Sequence, residues 1–336
     1  MRRICRALVV GIDGYAHRPM RGCVADAEEI AKLLQTNGEG IGGENFAVDR
    51  HIQDAETDVT AESIQNHLDQ LFSDRADIVL FYFAGHGDFD KDRGVQRLII
   101  ENDPDYFQEI RVSDILSAAE NSKSHIRSIV VILDCCQSGG ASTLSGLGKL
   151  GITHIPEGTT ILSASGKAQS AKTENRGRGV FTTLLIDALE GGAADILGRI
   201  TPASIYTHID QALGSGHQRP VYQANVSEFI TLRQVSPKVP REVLLRLGAY
   251  FPKPEHHFPL DPSFEPDRQN VPEEFRQIPV NEENVRIFKD LQLCNRHSLV
   301  EPVDAEHMYY AAINSKACAL TRLGQHYWKL AIEGQF

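Results

Sequence analysis

A rhythm constrains this chain more than any single residue. Short, continuous apolar runs alternate with segments of helical period from the N-terminus to about residue 235. The runs CRALVVGI (5–12), DIVLFYFAG (77–85) and SIVVILD (128–134) are apolar at almost every position, and TTILSAS (159–165) reads as a further strand. A strand with one wet face alternates, so the three apolar runs are expected to be buried on both faces. FAVDRHI (46–52), VQRLIIEN (95–102) and EFITL (228–232) read as further strands. Between them, 24–35, 60–72, 112–121, 179–192 and 201–213 carry apolar residues at helical spacing, as with Ile30, Leu33 and Leu34. Such alternation predicts an α/β domain over 1–235, a mostly parallel sheet with helices on both faces.

The composition then changes. Residues 236–280 contain Pro237, Pro240, Pro252, Pro254, Pro259, Pro262, Pro266, Pro272 and Pro279. Proline lacks an amide proton and restricts the residue before it, so this span cannot be one regular element. Aromatics interleave with the prolines, and an extended strap docked on a domain surface is expected. Period returns over 281–336: a helix at 282–294, a hairpin from SLVEPVD and MYYAAIN, and a helix at 320–334 with Thr321 as its N-cap and Gly334 as its stop. Helix, hairpin and helix resemble a winged-helix module, a small C-terminal α+β domain. Residues 281–336 hold six Lys/Arg against seven Asp/Glu. A nucleic-acid reader needs a basic stripe, so protein contact or ligand sensing is the expected role.

Bulk properties narrow the class. The net charge of −11 makes nucleic acid a poor partner. No stretch approaches the roughly 18 apolar residues of a membrane helix. The opening MRRICRALVVGIDGY places two arginines before an apolar run, but that run carries Arg6 and ends at Asp13, which suits a core strand better than a signal peptide. The six cysteines are scattered without a disulfide pattern, as in a reducing cytoplasm.

In a doubly wound sheet, chemistry gathers beyond the carboxyl ends of the strands. Three apolar runs end there in polar, glycine-bearing segments: GIDGYAHRPMRGCVADA, FYFAGHGDFD and ILDCCQSGG. If these ends are neighbours, His86 meets Cys135 or Cys136. A cysteine nucleophile needs such an imidazole to take its proton. Gly85 and Gly87 flank His86 and suggest a tight turn, from which the Gly87 amide would help to bind an oxyanion. Strand side chains alternate, so Asp134 and Cys136 share one face while Cys135 faces the other as a small buried hydrophobe. This favours Cys136 as the nucleophile, with Asp134 beside it as a specificity group. A zinc site from Cys23, His86, Cys135 and Cys136 fits poorly, because adjacent cysteines do not easily share one tetrahedral ion and no Cys-x-x-Cys is present. A dinucleotide site fails for want of Gly-x-Gly-x-x-Gly.

GHG after an apolar strand, followed fifty residues later by DCCQSG, resembles the caspase-like cysteine peptidases, closest to metacaspases and their bacterial relatives. The resemblance spans about residues 4–233 and extends to RGCVADA and GRGVFTTLLIDALEGGAAD. It implies a caspase-like fold and a cysteine endopeptidase with His86 and Cys136 as the catalytic pair. It implies an oxyanion site at the Gly87 and Cys136 amides. It matches Asp26 and Asp134 to the acidic positions that select Arg or Lys before the scissile bond. Ser163 or Ser165 would line the same pocket, and Lys167, Lys172, Arg176 and Arg178 become self-cleavage points. Gln137 stands where the family often has His. The family's calcium cluster does not map: Asp88, Asp90 and Asp92 form an acidic turn without a complete ligand set, so no metal is assigned, although calcium stays compatible. By family analogy the tail gates the peptidase, in bacterial stress or antiviral defence, with a protein or a nucleotide-derived signal as activator.

A carboxylate two residues from a thiol raises the thiol's pKa, because two anions repel. A substrate cation on Asp134 and Asp26 would relieve that repulsion, so a basic P1 residue is expected both to bind and to help activate the site. The competing reading is a non-catalytic signalling scaffold with a vestigial peptidase domain and a winged-helix interaction module. Intact His86 and Cys136 weigh against it.

Overall fold

The computed structural model describes residues 3–53, 59–90, 92, 94–137, 154–164, 179–214, 219–268 and 273–336, with the backbone alone for Cys136 and Gln137. The chain divides into two compact units, 1–236 and 237–336.

In the first unit the elements run β1 (Cys5–Gly11), α1 (Cys23–Gln35), β2 (Ala47–Ile52), α2 (Ala61–Ser73), β3 (Ala76–Asp90), β4 (Val95–Glu101), β5 (Gln108–Arg111), α3 (Val112–Ser122) and β6 (Ile126–Gln137). They continue with β7 (Thr159–Ser163), α4 (Val180–Asp187), a π-helical turn (Ala188–Gly192), β8 (Arg199–Ile200), α5 (Pro202–Ala212), β9 (Val221–Asn225) and β10 (Arg233–Gln234). The main sheet has the order β2-β1-β3-β6-β7-β9, with β4 paired to the last residues of β3 and β5 paired to β4. Pairings from β2 through β7 are parallel. Those of β9, β4 and β5 are antiparallel. This is the α/β sheet that the apolar rhythm predicts.

Strand parity sorts the core into two layers. Val79, Phe81 and Phe83 of β3 and Ile129, Val131 and Leu133 of β6 pack under α2 and α3. Ile78, Leu80 and Tyr82, with Val130 and Ile132, pack under α1, α4 and α5. Both faces are dry, so neither set could be polar. Helix starts follow the local chemistry: Thr60 and Ser63 form a capping box on α2, and Thr201 and Ser204 repeat it on α5 with Pro202 in the first turn.

Two strand expectations need correction. EFITL (228–232) is not a strand; the sheet ends instead on β9, whose partly exposed residues give no apolar signal. Phe229, the strongest apolar residue of that span, is exposed under the Arg199 guanidinium. Gly85 and Gly87 make no tight turn, because β3 runs straight through them to Asp90.

The second unit holds α6 (Arg241–Tyr250), β11 (Phe258–Pro259), a 3-10 turn (Pro262–Phe264), α7 (Glu273–Arg276), α8 (Glu282–Arg296), β12 (Val300–Val303), α9 (Met308–Ile313), β13 (Ala317–Leu320) and α10 (Arg322–Ile332). The proline-rich span is therefore part of this unit rather than a strap outside it. It contributes a helix, and β11 joins the antiparallel order β11-β13-β12. Its aromatics do pack: Phe251, Phe258, Phe264 and Phe288 form a chain of tilted and edge-on contacts. MYYAAIN, expected as a hairpin arm, is the helix α9. Its buried residues Met308, Ala311 and Ala312 recur at three and four, the helical period.

Candidate functional site

The site lies where β1, β3 and β6 end. In the parallel pairing of β3 with β6, His86 stands opposite Cys136, Gly85 opposite Cys135 and Ala84 opposite Asp134. Neighbouring strands run about 4.8 Å apart, so positions 86 and 136 are adjacent on the rim. Cys135 is 3 % exposed and belongs to the layer under α2 and α3. Positions 134 and 136 have the opposite parity.

The His86 ring is held from two sides. Its Nε2 lies 2.7 Å from the Arg18 carbonyl oxygen. A carbonyl only accepts, so Nε2 carries the proton and Nδ1 keeps the lone pair. Arg18 sits at φ 58°, a left-handed conformation uncommon outside glycine, in the loop that presents this carbonyl. The Tyr15 ring packs against the imidazole at 4.4 Å between centroids. Burial raises the Tyr15 phenol well above its ordinary range, so it stays protonated. It donates to the Ile99 carbonyl at 2.9 Å and accepts the His86 amide at 2.9 Å. This explains Gly85: a Cβ there would lie 2.3 Å from the Tyr15 hydroxyl. The glycine leaves room for a tyrosine rather than making a turn.

The floor beside this pair is acidic. Asp134 accepts a hydrogen bond from Thr182 of α4, and the Tyr82 hydroxyl lies 3.2 Å from the Thr182 Oγ1. Thr182 has one proton and spends it on Asp134, so Tyr82 donates to Thr182. Burial pushes the Asp134 carboxyl up to about 6, against the opposing pull of the Thr182 hydrogen bond. Among the described residues, no lysine or arginine forms an ion pair with it. Asp26, in the first turn of α1, is 3 % exposed. Both carboxylates act on the same groups: burial raises the Tyr82 phenol and the Cys23 thiol, and Asp134 and Asp26 raise them further. α1 is itself anchored by Asp13, which accepts the Cys23 amide at 2.9 Å and the Gly22 amide at 3.2 Å. Gly22, at φ 104°, adopts a backbone that other residues resist.

His86 and position 136 are thus neighbours on the rim, and Asp134 and Asp26 act together on Tyr82 and Cys23. Ser163 does not join them. It pairs with Leu133, on the face away from Asp134, and its hydroxyl donates to the Ala164 carbonyl. Ser165, Lys167, Lys172, Arg176 and Arg178 lie outside the described residues. Gly87 pairs with both Gln137 and Leu98 in the sheet. The Asp88 and Asp90 carboxylates reach Arg97 at 2.5 and 3.9 Å, so this acidic turn is charge-compensated from within. Sequence reasoning missed Tyr15, Arg18, Asp13 and Thr182. Asp13 and Tyr15 lie in GIDGY and Thr182 in GVFTT, but nothing in their type or spacing marks them.

Such an arrangement suits acyl transfer: a thiol position beside an imidazole with a defined tautomer, over a buried anionic floor. The family model of the caspase domain, peptidase family C14, matches residues 4–230. Solved structures that align with the chain include caspase-1 from Spodoptera frugiperda, at 13% identity and a TM-score of 0.47, covering 69% of this chain and 91% of that one. The structure of pro-Sf-caspase-1 aligns at 14% identity and a TM-score of 0.45, with the same coverage. No curated protein sequence matches the chain. With the caspase-domain match spanning more than half of its length, the chain belongs to the caspase family of cysteine endopeptidases.

Proposed function

We propose that the protein cleaves polypeptides after arginine or lysine, with Cys136 as nucleophile and His86 as its base. The observation that carries this reading is the register that sets position 136 opposite His86. The Cys136 thiol gives its proton to His86 Nδ1, while Nε2–H stays on the Arg18 carbonyl. The thiolate attacks the scissile carbonyl. Backbone amides at the rim, that of Cys136 among them, bind the oxyanion. His86 then protonates the leaving amine, and water attacks the thioester with His86 as base.

The preference for a basic P1 side chain rests on Asp134. A half-buried carboxylate whose one described hydrogen-bond donor is a hydroxyl is costly when ionised. A guanidinium or ammonium from the substrate offsets that cost, and Asp26 adds to the same field. Docked there, the cation also lowers the repulsion opposing thiolate formation, so a correct substrate helps to activate its own nucleophile. Ser163 has no part in this pocket.

The second unit takes the regulatory role, sensing a protein or nucleotide-derived signal. Its separate compactness and its acidic balance support a sensor over a nucleic-acid reader, and a part in bacterial stress or antiviral defence follows from family analogy. Five described cysteines are free thiols, which suits the cytoplasm. Among the described residues, no helix is long and apolar enough to cross a membrane.

Two experiments test the proposal. An arginyl electrophile should label the chain and its Cys135→Ala variant but not Cys136→Ala. Matched peptides with Arg, Lys, Asp or neutral P1 should rank with the basic pair far ahead. Equal turnover of a neutral P1 peptide would sink the pocket assignment and leave the dyad standing.

A further inference from the structure

Away from the peptidase rim, β2 and α2 bring together three donors that are scattered in sequence. Asp49 and His51 alternate on β2, the edge strand of the sheet. Val48 and Ile52, of the other parity, pack in the layer under α1. Asp49 and His51 therefore face the side where α2 lies, and His67 of α2 meets them. The His51 and His67 rings stand 3.8 Å apart between centroids. One Asp49 oxygen is 3.9 Å from His51 Nε2, and the other is 3.6 Å from His67 Nε2. One ligand atom from each residue lies within 4.8 Å of the other two.

The tautomer of one imidazole is settled by the backbone. His67 Nδ1 lies 2.6 Å from the Ser63 carbonyl, which only accepts. The proton is on Nδ1, and Nε2 offers its lone pair to the cluster. A backbone carbonyl holding the far nitrogen of a ligating histidine is the usual outer support of a metal site. His51 is mostly buried and cannot swing into solvent, whereas Asp49 is exposed on the open side. Zinc bound tetrahedrally at about 2.0–2.1 Å by nitrogen and oxygen sets its donors roughly 3.3 Å apart. The two carboxylate distances, one to each Asp49 oxygen, are within about half an ångström of that spacing, and a small rotation of the exposed Asp49 side chain brings a single oxygen to both imidazoles.

We propose that Asp49, His51 and His67 form a binding site for one divalent transition-metal ion of the zinc class. Two imidazoles and one carboxylate supply three positions, and water completes the tetrahedron. Hard oxygen-seeking cations such as calcium and magnesium are poorly served by two neutral nitrogens. The ion would tie the edge strand to the helix covering it, so its effect is on the stability of this corner of the sheet. The site takes no part in the peptidase chemistry.

The test uses the full chain carrying Cys136→Ala, which removes the reactive thiol as a competing ligand and makes the result independent of the proposed peptidase role. After chelator treatment, zinc titrated by calorimetry should bind at one ion per chain and raise the melting temperature. Asp49→Asn and His67→Gln should each weaken binding at least tenfold and abolish the shift. Asp49 is exposed, so its variant keeps the test decisive if His67→Gln fails to fold. Cobalt in place of zinc should give ligand-field bands without a thiolate charge-transfer band. No zinc binding, unchanged affinity in Asp49→Asn, or a thiolate band would each overturn the assignment.

Discussion

Two shielded carboxylates divide the labour in this molecule. Asp290 of α8 accepts from Arg246 Nε at 2.7 Å, from Arg246 Nη2 at 3.0 Å and from the Tyr250 hydroxyl at 2.7 Å. Its charge is answered from within the second unit, and the guanidinium is held more firmly protonated in return. Asp134 of β6 accepts from one threonine and sits among groups whose protons it makes harder to lose. Burial of an anion is tolerated in both places, but by different means. Asp290 is compensated at folding, so it is structural. Asp134 carries an unmet demand for positive charge, and a resident arginine there would fill the place that the proposed substrate cation needs. A buried acid with its own cation belongs to architecture; one without is available for recognition.

If that contrast is right, neutralising Asp134 should remove activity and leave folding intact. Asp134→Asn keeps size and an acceptor for Thr182 but loses the charge. Losing one partner of a desolvated charge pair costs about 2–5 kcal/mol, so kcat/KM for an arginine P1 peptide should fall on the order of 10³-fold at neutral pH. Progress curves with matched peptides check this, and a loss under about threefold would end the recognition reading. The mirror experiment is Arg246→Ala, which strands Asp290. Removing one partner of a buried pair costs about 3–5 kcal/mol, and the partial exposure of Arg246 puts the expectation near 3. Urea unfolding of the full chain measures it.

The same asymmetry has a pH signature. The folded Asp134 carboxyl is held near 6, against 3.8 for the free side chain. Its protonated form is the favoured one in the folded state, so its contribution is fully present below pH 4 and is lost as pH rises through 6. Asp134→Asn abolishes that loss. The variant should be more stable than the parent by about 3 kcal/mol at pH 7, and the gain should vanish toward pH 4. Melting curves across that range decide it. A gain that grows toward low pH would mean that Asp134 is compensated like Asp290.

How much of this was legible beforehand follows the range of the interaction. The buried strands, and the parity that puts Asp134 and position 136 on one face, are local and were readable. The neighbouring of positions 86 and 136 needed the assumption that β3 and β6 pair, which the apolar runs made reasonable. Tyr15, Arg18 and Thr182 were not readable, because each acts through the path of a loop or helix over the rim. Gly85 was noticed for the wrong reason: its conformation is ordinary, and what it permits is the tyrosine. In α9, MYYAAIN was read as a hairpin arm, although Met308, Ala311 and Ala312 already carried the helical period. The Asp49, His51 and His67 cluster has no sequence signature, since its members come from two elements that only the fold brings together.

The smallest effect comes from a rim group that should behave like Asp290 rather than Asp134. The Tyr15 hydroxyl is satisfied on both sides, by the Ile99 carbonyl and the His86 amide. It shapes the rim without facing the proposed cation site. Tyr15→Phe keeps the ring against the imidazole and removes two hydrogen bonds. The half-buried His86 amide can recover a water partner, while the Ile99 carbonyl is enclosed. A cost of about 1 kcal/mol in stability is expected. A loosened His86 should lower kcat by severalfold with KM for arginine P1 peptides unchanged, because the charge proposed to bind the substrate is untouched. The split between the two constants is the informative reading. A rise in KM comparable to that of Asp134→Asn would mean that Tyr15 and Asp134 act as one unit, and that the boundary between the structural rim and the recognition floor is drawn in the wrong place.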